Sequence, residues 1–172
     1  MPRRIRAHFV CLAPCLLILI LAPSTMAQAV FRNAAPDLRA VVHRSGTIFV
    51  GKVVSIEPPT GPCCLTSVRV TFKVEQAMRG DVHVGEHFSI REWPGLWTAG
   101  PRYRVGERLV LFLYPPSKLG LTSPVDGKWG RVPVTRDGVI RLWPTWKQIV
   151  PAALHADVPR FARAVRRLAE ER

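Results

Sequence analysis

The stretch RYRVGERLVLFLY, Arg102–Tyr114, decides the fold class of this sequence. It begins with basic and aromatic residues, turns at Gly106-Glu107, and continues as an apolar run from Leu109 to Leu113. A short apolar block that follows a glycine and ends before Pro115-Pro116 predicts a buried central strand. A helix is disfavoured because the two prolines would stop it too early.

Six further segments have strand patterns: Thr47–Glu57, Thr66–Ala77, Glu86–Trp93, Leu119–Thr122, Gly130–Thr135 and Val139–Trp143. The second alternates apolar and polar side chains, which is typical of a half-buried antiparallel strand. In Thr47–Glu57, apolar residues occur at both odd-numbered and even-numbered positions. This strand is therefore either buried on both faces or coils at a bulge at Gly51. Asp-Gly pairs at 126–127 and 137–138 indicate hairpin turns.

Two helices are predicted to flank the strands. The first runs from Pro36 to Arg44, with Gly46 after its end, and the second begins at an N-cap, Asp157. The second helix has an apolar stripe opposite several arginines, so it either docks on the strands or lies on a membrane surface. Together the elements predict an all-β fold with flanking helices: a small closed Greek-key, OB-like barrel, with a β-sandwich as the alternative.

The amino-terminal segment has the three parts of a secretory signal peptide. Arginines at positions 3, 4 and 6 precede an apolar run, and small residues end it at Ala27 and Ala29. We expect cleavage after Ala29 and a secreted or periplasmic protein without a transmembrane segment. The expected organisation is then a signal peptide (1–29), a leader (30–36), a barrel domain (37–144), and a carboxy-terminal linker with an amphipathic helix (145–172).

The mature chain is strongly basic. Loss of the signal peptide leaves 22 basic and 12 acidic residues, a net charge of +10 with histidine neutral. Such a charge favours polyanions, although arginine-rich composition spread along the chain also explains it. The expected partner is therefore a polyanion, a glycan or another protein, with no sign of specific nucleic-acid recognition.

Several motifs resemble a known family. The run GTIFVGKVVSI at 46–56 is similar to the family pattern DIVFVGRVVSVE, and VTFKVEQAMRG at 70–80 is similar to VTFRVERVLKG. FSIR at 88–91 and YRVGERLVLFL at 103–113 complete the pattern. The sequence thus resembles uncharacterised secreted bacterial proteins with a netrin-like domain, the OB-type barrel of the tissue inhibitors of metalloproteinases.

The resemblance implies a fold more than an activity. Those inhibitors act through an amino-terminal cysteine that chelates the zinc of the target enzyme. Here the expected mature chain begins at Val30 and has no cysteine before Cys63. Inhibition by that mechanism is therefore not implied.

The loop from Arg91 to Tyr103 is the best candidate for a ligand site. It combines arginine with aromatic residues that stack on bases or sugars: Arg91, Trp93, Trp97, Arg102 and Tyr103. OB-type barrels bind ligands through such loops. Alternatively, the aromatic rings close the end of the barrel as part of the core.

Cys63 and Cys64 are the two cysteines of the mature chain. Adjacent cysteines form only a strained disulfide, so free thiols, a redox-active ring and bonds to another chain all stay open. No zinc-binding spacing, nucleophile elbow or phosphate loop is present, and neither a cofactor nor a metal is expected.

The sequence favours an exported, non-catalytic, OB-like binding or interaction module. The alternatives are a secreted hydrolase acting on nucleic acid or glycans from the same barrel, and a protease inhibitor that uses another edge or loop. The ligand and the oligomeric state are not specified by the residues.

Overall fold

A computed structural model describes residues 36–59, 67–144, 146 and 157–171. Within these ranges the chain forms five strands: β1 Thr47–Glu57, β2 Val68–Arg79, β3 His87–Glu92, β4 Arg108–Leu113 and β5 Arg131–Pro133. Two α-helices flank them, α1 Leu38–Arg44 and α2 Val158–Glu170. Short 3₁₀ turns lie at Pro94–Trp97 and Gly127–Gly130. The predicted signal peptide, most of the leader, and Cys63-Cys64 lie outside the described residues.

The five strands form one antiparallel sheet in the order β3-β2-β1-β4-β5. The apolar run 109–113 is an interior strand, as predicted, because β4 lies between β1 and β5. The middle of the sheet, however, is β1. All-β architecture with two flanking helices is therefore confirmed.

Strand β1 coils where the sequence predicted it would. Its pairing register with β2 shifts between Val50 and Gly51, and again nearer its two ends. A Cβ on Gly51 would lie 2.8 Å from the Phe49 ring, so a side chain is excluded there. Residues 48–51 are buried in succession, which shows that β1 is covered on both faces at this point.

One face of the sheet is covered by the helices. Phe161, Ala162 and Val165 of α2 are buried against a core that also holds Leu38 and Val41 of α1. The buried Trp146 donates from its indole nitrogen to the Pro36 carbonyl at 2.6 Å, which connects residue 146 with the segment just before α1. Helix α2 is therefore docked on the sheet.

The other face buries a second core drawn from β1, β2, β3 and β4. Its centre is aromatic: the Phe49 ring meets those of Phe72 and Phe88 edge-on at 5.5 and 5.4 Å, and the Phe72 ring meets that of Tyr103 at 5.6 Å. In the described residues no helix covers this face. Tyr103 of the loop before β4 is part of this core, and Trp97 of the same loop packs against it.

The expected closed barrel is not seen, because the described sheet is open. Its edges are β3 and β5, and no pairing within the described residues joins them. β5 is three residues long and ends at Pro133, which cannot donate a backbone hydrogen bond to another strand. The chain then turns at Asp137-Gly138 and pairs with itself at Val134 and Ile140.

Two of the expected late strands do not form. Residues 119–122 form a turn and then continue without strand pairing, and residues 139–143 contribute a single bridge at Ile140. The reason is local. Short apolar runs between glycines and prolines have too few residues for a ladder, although their side chains Ile140 and Leu142 are buried in the first core.

Candidate functional site

Glu92 is a fully buried carboxylate at the end of β3. Tyr103 donates its hydroxyl to Oε1 at 2.8 Å. Trp97 donates its indole nitrogen to Oε2 at 3.0 Å, and Arg102 donates Nε to the same oxygen at 2.9 Å. Both carboxylate oxygens therefore have donors, and the charge is balanced by Arg102, whose side chain is 14% exposed.

This cluster explains how the long loop before β4 is held. A carboxylate without partners would be very costly to bury, whereas one with a cation and two neutral donors is tolerated. The three donors come from residues 97 to 103, so the loop is folded back on the end of β3. The cluster fixes the loop in place over the second core.

The environment also changes the acidity of Tyr103. Burial, then the charge of Glu92 and the hydrogen bond to it, raise the pKa of the Tyr103 hydroxyl well above its ordinary value of 10. The phenol therefore stays protonated at neutral pH and acts as a hydrogen-bond donor.

The five loop residues proposed for ligand binding do not form one open surface. Trp97, Arg102 and Tyr103 face the buried Glu92, as the core interpretation of the aromatic rings predicts. Trp93 is 61% exposed, with its ring against Gly95. Arg91 lies on the exposed face of β3 and donates Nε to the Ser67 hydroxyl at 3.0 Å.

A basic cleft of about 270 Å³ lies between this loop and β5. Its cationic lining residues are Arg102, Arg104, Lys128 and Arg131. The single carboxylate among the residues that line it is Glu107, whose Oε2 accepts the Arg104 backbone N–H at 3.1 Å. We call this region the basic cleft.

The aromatic residues of the basic cleft are Tyr103 and Trp143. Tyr103 is buried, while Trp143 is half-buried and meets Trp129 edge-on at 4.7 Å. Trp143 also donates its indole nitrogen to the Trp129 carbonyl at 3.3 Å, which fixes the ring. Cations and one ordered ring thus line the same cleft.

A second cleft of about 370 Å³ shares Glu107 and Pro133 with the basic cleft. Arg108 in its wall is already engaged, since it donates to Glu75 at 2.6 to 3.2 Å and to the Thr135 carbonyl at 2.8 Å. Arg136 and Arg141 line this cleft and are exposed. The basic surface therefore continues along the β5 edge of the sheet.

Other chemistry has little support in the described ranges. Among those residues, no group of three or more histidine, cysteine, aspartate or glutamate side chains could hold a metal ion. His83 and His87 lie on either side of the turn before β3 and are both exposed. None of the helices in these ranges has the length and apolarity needed to cross a bilayer.

Two residues that matter here were not singled out from the sequence. Glu92 carried a signal: in β3 it has the same parity as Phe88 and Ile90, so strict alternation places it inside. Arg131 had no such signal, because its position over the Tyr103 ring depends on how two distant segments meet. Pairing of that kind is set by the tertiary fold.

No protein-family model matches this sequence, and no curated protein matches it either. The similarity to netrin-like domains therefore stays a prediction. Function is inferred below from the geometry and charge of the described residues.

Proposed function

We propose that this chain is an exported, non-catalytic, OB-like binding module whose ligand is an anionic polymer. The observation that carries the proposal is the basic cleft, in which four cationic side chains and one carboxylate line the same concave surface. Arg102 is paired with Glu92, so the charges of Arg104, Lys128 and Arg131 face a single carboxylate, and a cleft with such an excess of positive charge attracts an anionic ligand. The neighbouring cleft, with Arg136 and Arg141, extends the positive surface in the way a polymer requires.

The role of Glu92 supports binding rather than catalysis. Its two oxygens are occupied by donors of its own loop, and it has no exposed surface. A general acid or base needs to reach the proton that it transfers. Glu92 is thus assigned the role of holding the wall of the cleft.

The OB-like part of the proposal is supported by strand order and by a link between edges. In the order β4-β1-β2-β3, three successive strands are followed by a fourth that returns beside the first, as in a Greek key. The Thr122 N–H donates to the Arg91 carbonyl of the β3 edge at 2.9 Å. Residue 124 also bridges to Leu113, so this segment connects the β3 edge with the end of β4.

Export is proposed on the amino-terminal sequence alone. The arginines, apolar run and small residues of positions 1–29 have the pattern of a cleaved signal peptide. Mass spectrometry of the protein from its own host tests this: a mature terminus at Val30 supports export, and an intact Met1 contradicts it.

The binding proposal is tested by calorimetry of residues 30–172 against polygalacturonate, dextran sulfate and uncharged dextran. We expect at least one of the acidic polymers to bind at low salt, with affinity falling as salt is raised, because charge attraction is screened. Uncharged dextran should not bind. Binding of all three alike, or of neither acidic polymer, would contradict the proposal.

A charge-matched pair of variants locates the surface. Arg104→Gln with Lys128→Gln removes two charges from the basic cleft, and Arg163→Gln with Arg167→Gln removes two from the exposed face of α2. The first pair should lower affinity by about tenfold or more, and the second by much less. Equal effects would show that only net charge matters.

A further inference from the structure

Arg131 is the first residue of β5 and lines the basic cleft. The next residue, Val132, pairs with Val110 of β4 and is fully buried. Because side chains alternate along a strand, Arg131 and Pro133 lie on the opposite face, and both line the cleft. The position of Arg131 is therefore set by the backbone of the sheet rather than by a flexible loop.

The guanidinium of Arg131 has no acceptor in the described part of the chain. Its Nε is buried and makes no hydrogen bond. Its Cζ lies 5.2 Å from the centre of the Tyr103 ring, a cation–π distance. A ring face attracts the charge but accepts none of the strong in-plane N–H bonds that a guanidinium offers.

The nearby carboxylates are already occupied. Glu92 accepts hydrogen bonds from Trp97, Arg102 and Tyr103, and none from Arg131. Glu107 is held at the turn by the backbone N–H of Arg104. Nη1 and Nη2 of Arg131 also make no hydrogen bond in the described residues and, unlike Nε, are not shielded from solvent, so these two N–H groups are available to an acceptor that enters the cleft.

We propose that Arg131 forms the centre of an oxyanion subsite that binds the carboxylate or sulfate group of an acidic polysaccharide; this inference rests on the proposed function. The planar fork of the guanidinium matches the two oxygens of such a group. Arg104 and Lys128 add charge at the mouth of the cleft. The apolar face of the sugar ring packs on Trp143, whose orientation is fixed by its bond to Trp129.

An acidic glycan fits the cleft better than a nucleic acid. Single-stranded nucleic acid sites use several exposed rings on which successive bases stack. In this cleft Tyr103 is 1% exposed, which leaves Trp143 as the ring available for stacking. One accessible ring in the same cleft as Arg131 suits a single charged sugar.

The test compares three variants of residues 30–172 by calorimetry with oligogalacturonate and with sulfated maltooligosaccharide. Arg131→Gln removes the charge, Arg131→Lys keeps the charge but loses the fork, and Arg163→Gln removes a charge from the exposed face of α2, outside both clefts. We expect Arg131→Gln to lower affinity by about 10- to 100-fold, as loss of a charged hydrogen bond does. Arg131→Lys should lower affinity at least about tenfold, and Arg163→Gln less than about threefold.

The two ligands separate the two sources of the oxyanion, since a carboxylate subsite favours the first and a sulfate subsite the second. Ligand-induced change in tryptophan fluorescence should disappear in Trp143→Phe. Far-UV circular dichroism and urea unfolding should show that each variant is folded, because Arg131 has no hydrogen bond to lose.

Three results would overturn the inference. If wild type binds an acidic glycan and Arg131→Gln binds it equally well, the subsite is wrong while the proposed function stands. If Arg131→Lys binds the glycan as tightly as wild type, a positive charge at position 131 is enough and the planar guanidinium is not required. If single-stranded DNA of matched charge binds more tightly than both glycans, the ligand class is wrong. Failure of wild type to bind any anionic polymer would instead defeat the proposed function.

Discussion

Glu92 determines how the residues around the basic cleft are arranged. Glu92 accepts hydrogen bonds from three donors. Two of them, Trp97 and Tyr103, are neutral, and the third is the cation Arg102, whose side chain is mostly buried. A buried ion pair as a whole adds little to the free energy of unfolding. Replacing one partner is costly, however, because the other charge is then buried without a counterion. The energetic importance of Glu92 is therefore best measured by replacing it.

Glu92→Gln is expected to destabilise the protein by about 3 kcal/mol, because the charge of Arg102 would then be buried without its counterion. The amide would also turn a donor toward one of the three existing donors. Urea unfolding followed by tryptophan fluorescence measures the change.

The matched control is Glu57→Gln. Glu57 is 58% exposed and pairs with Arg69 at 3.6 Å, so its replacement should change stability by less than about 0.5 kcal/mol. If both variants were equally stable, the cluster around Glu92 would not hold the loop.

Tyr103→Phe gives a pH-dependent prediction. The folded-state pKa of Tyr103 lies above the unfolded value of about 10. The contribution of Tyr103 to the free energy of unfolding is therefore fully present below pH 10, and it is lost as the pH rises toward the pKa of the folded state. At pH 7 the variant should be less stable by about 1 kcal/mol, from the lost hydrogen bond to Glu92.

Above pH 10 the two stabilities should converge, because wild type loses up to about 1.4 kcal/mol per pH unit from Tyr103 and the variant does not. Urea unfolding at pH 7, 10 and 11 measures this. Parallel curves for wild type and Tyr103→Phe would contradict the assignment. Glu57→Gln serves again as the control and should follow wild type throughout.

For individual residues, the sequence predicted which residues belong to the site better than it predicted what each of them does there. It singled out Trp97, Arg102 and Tyr103 together, and they do meet, at Glu92. It did not show that they face inward, because an aromatic and basic loop has the same composition whether it binds a ligand or closes a core. Strand alternation places Glu92 on the buried face of β3, and this was the feature that could have distinguished a core-closing loop from a ligand-binding loop.

Among the elements, long periodic strands were predicted well and short ones poorly. Thr47–Glu57 is β1 with the same bounds, and the alternation in 66–77 matches the buried side chains of β2. The bulge expected at Gly51 coincides with a register shift. These features depend on local pattern, which the sequence carries directly.

The two helices were predicted from residues at their ends and from an apolar stripe. The first was expected from Pro36 but begins at Leu38, with Asp37 as its cap, since the Asp37 carboxylate accepts the Arg39 backbone N–H at 3.1 Å. Asp157 lies at the predicted N-cap position of α2, but its side chain makes no capping hydrogen bond. The stripe on α2 is buried at Phe161 and Val165, which confirms docking on the sheet. The apolar pattern of the helices did not show which segments pack against each helix face, because those segments are far apart in the chain.

The two faces of the sheet are completed by different means. One is covered by α1 and α2, and the other is packed against Trp97 and Tyr103 of the loop fixed at Glu92. β1 and β4 contribute alternate side chains to both cores, so the two cores share a wall. Loss of either cover should therefore affect the whole described fold.

This coupling bears on the expected boundary at residue 144. A sequence-based division places the barrel in 37–144 and treats 145–172 as a linker and a helix. Phe161, Ala162 and Val165 of α2 and Trp146 are, however, members of the first core. A fragment that ends at 144 would lack these members of the first core, which also contains Ile48 and Val50 of β1.

We expect the fragment 30–144 to lose cooperative unfolding, while 30–172 unfolds in one transition. Removing a single large core side chain commonly costs about 3 to 5 kcal/mol, and a small domain has about 5 to 15 kcal/mol in all. Differential scanning calorimetry and near-UV circular dichroism of the two chains test this. The full-length variant Arg163→Gln with Arg167→Gln, altered on the exposed face of α2, should melt like wild type. A fragment with the melting temperature of the full chain would show that the strands are stable by themselves and that α2 is only attached to them.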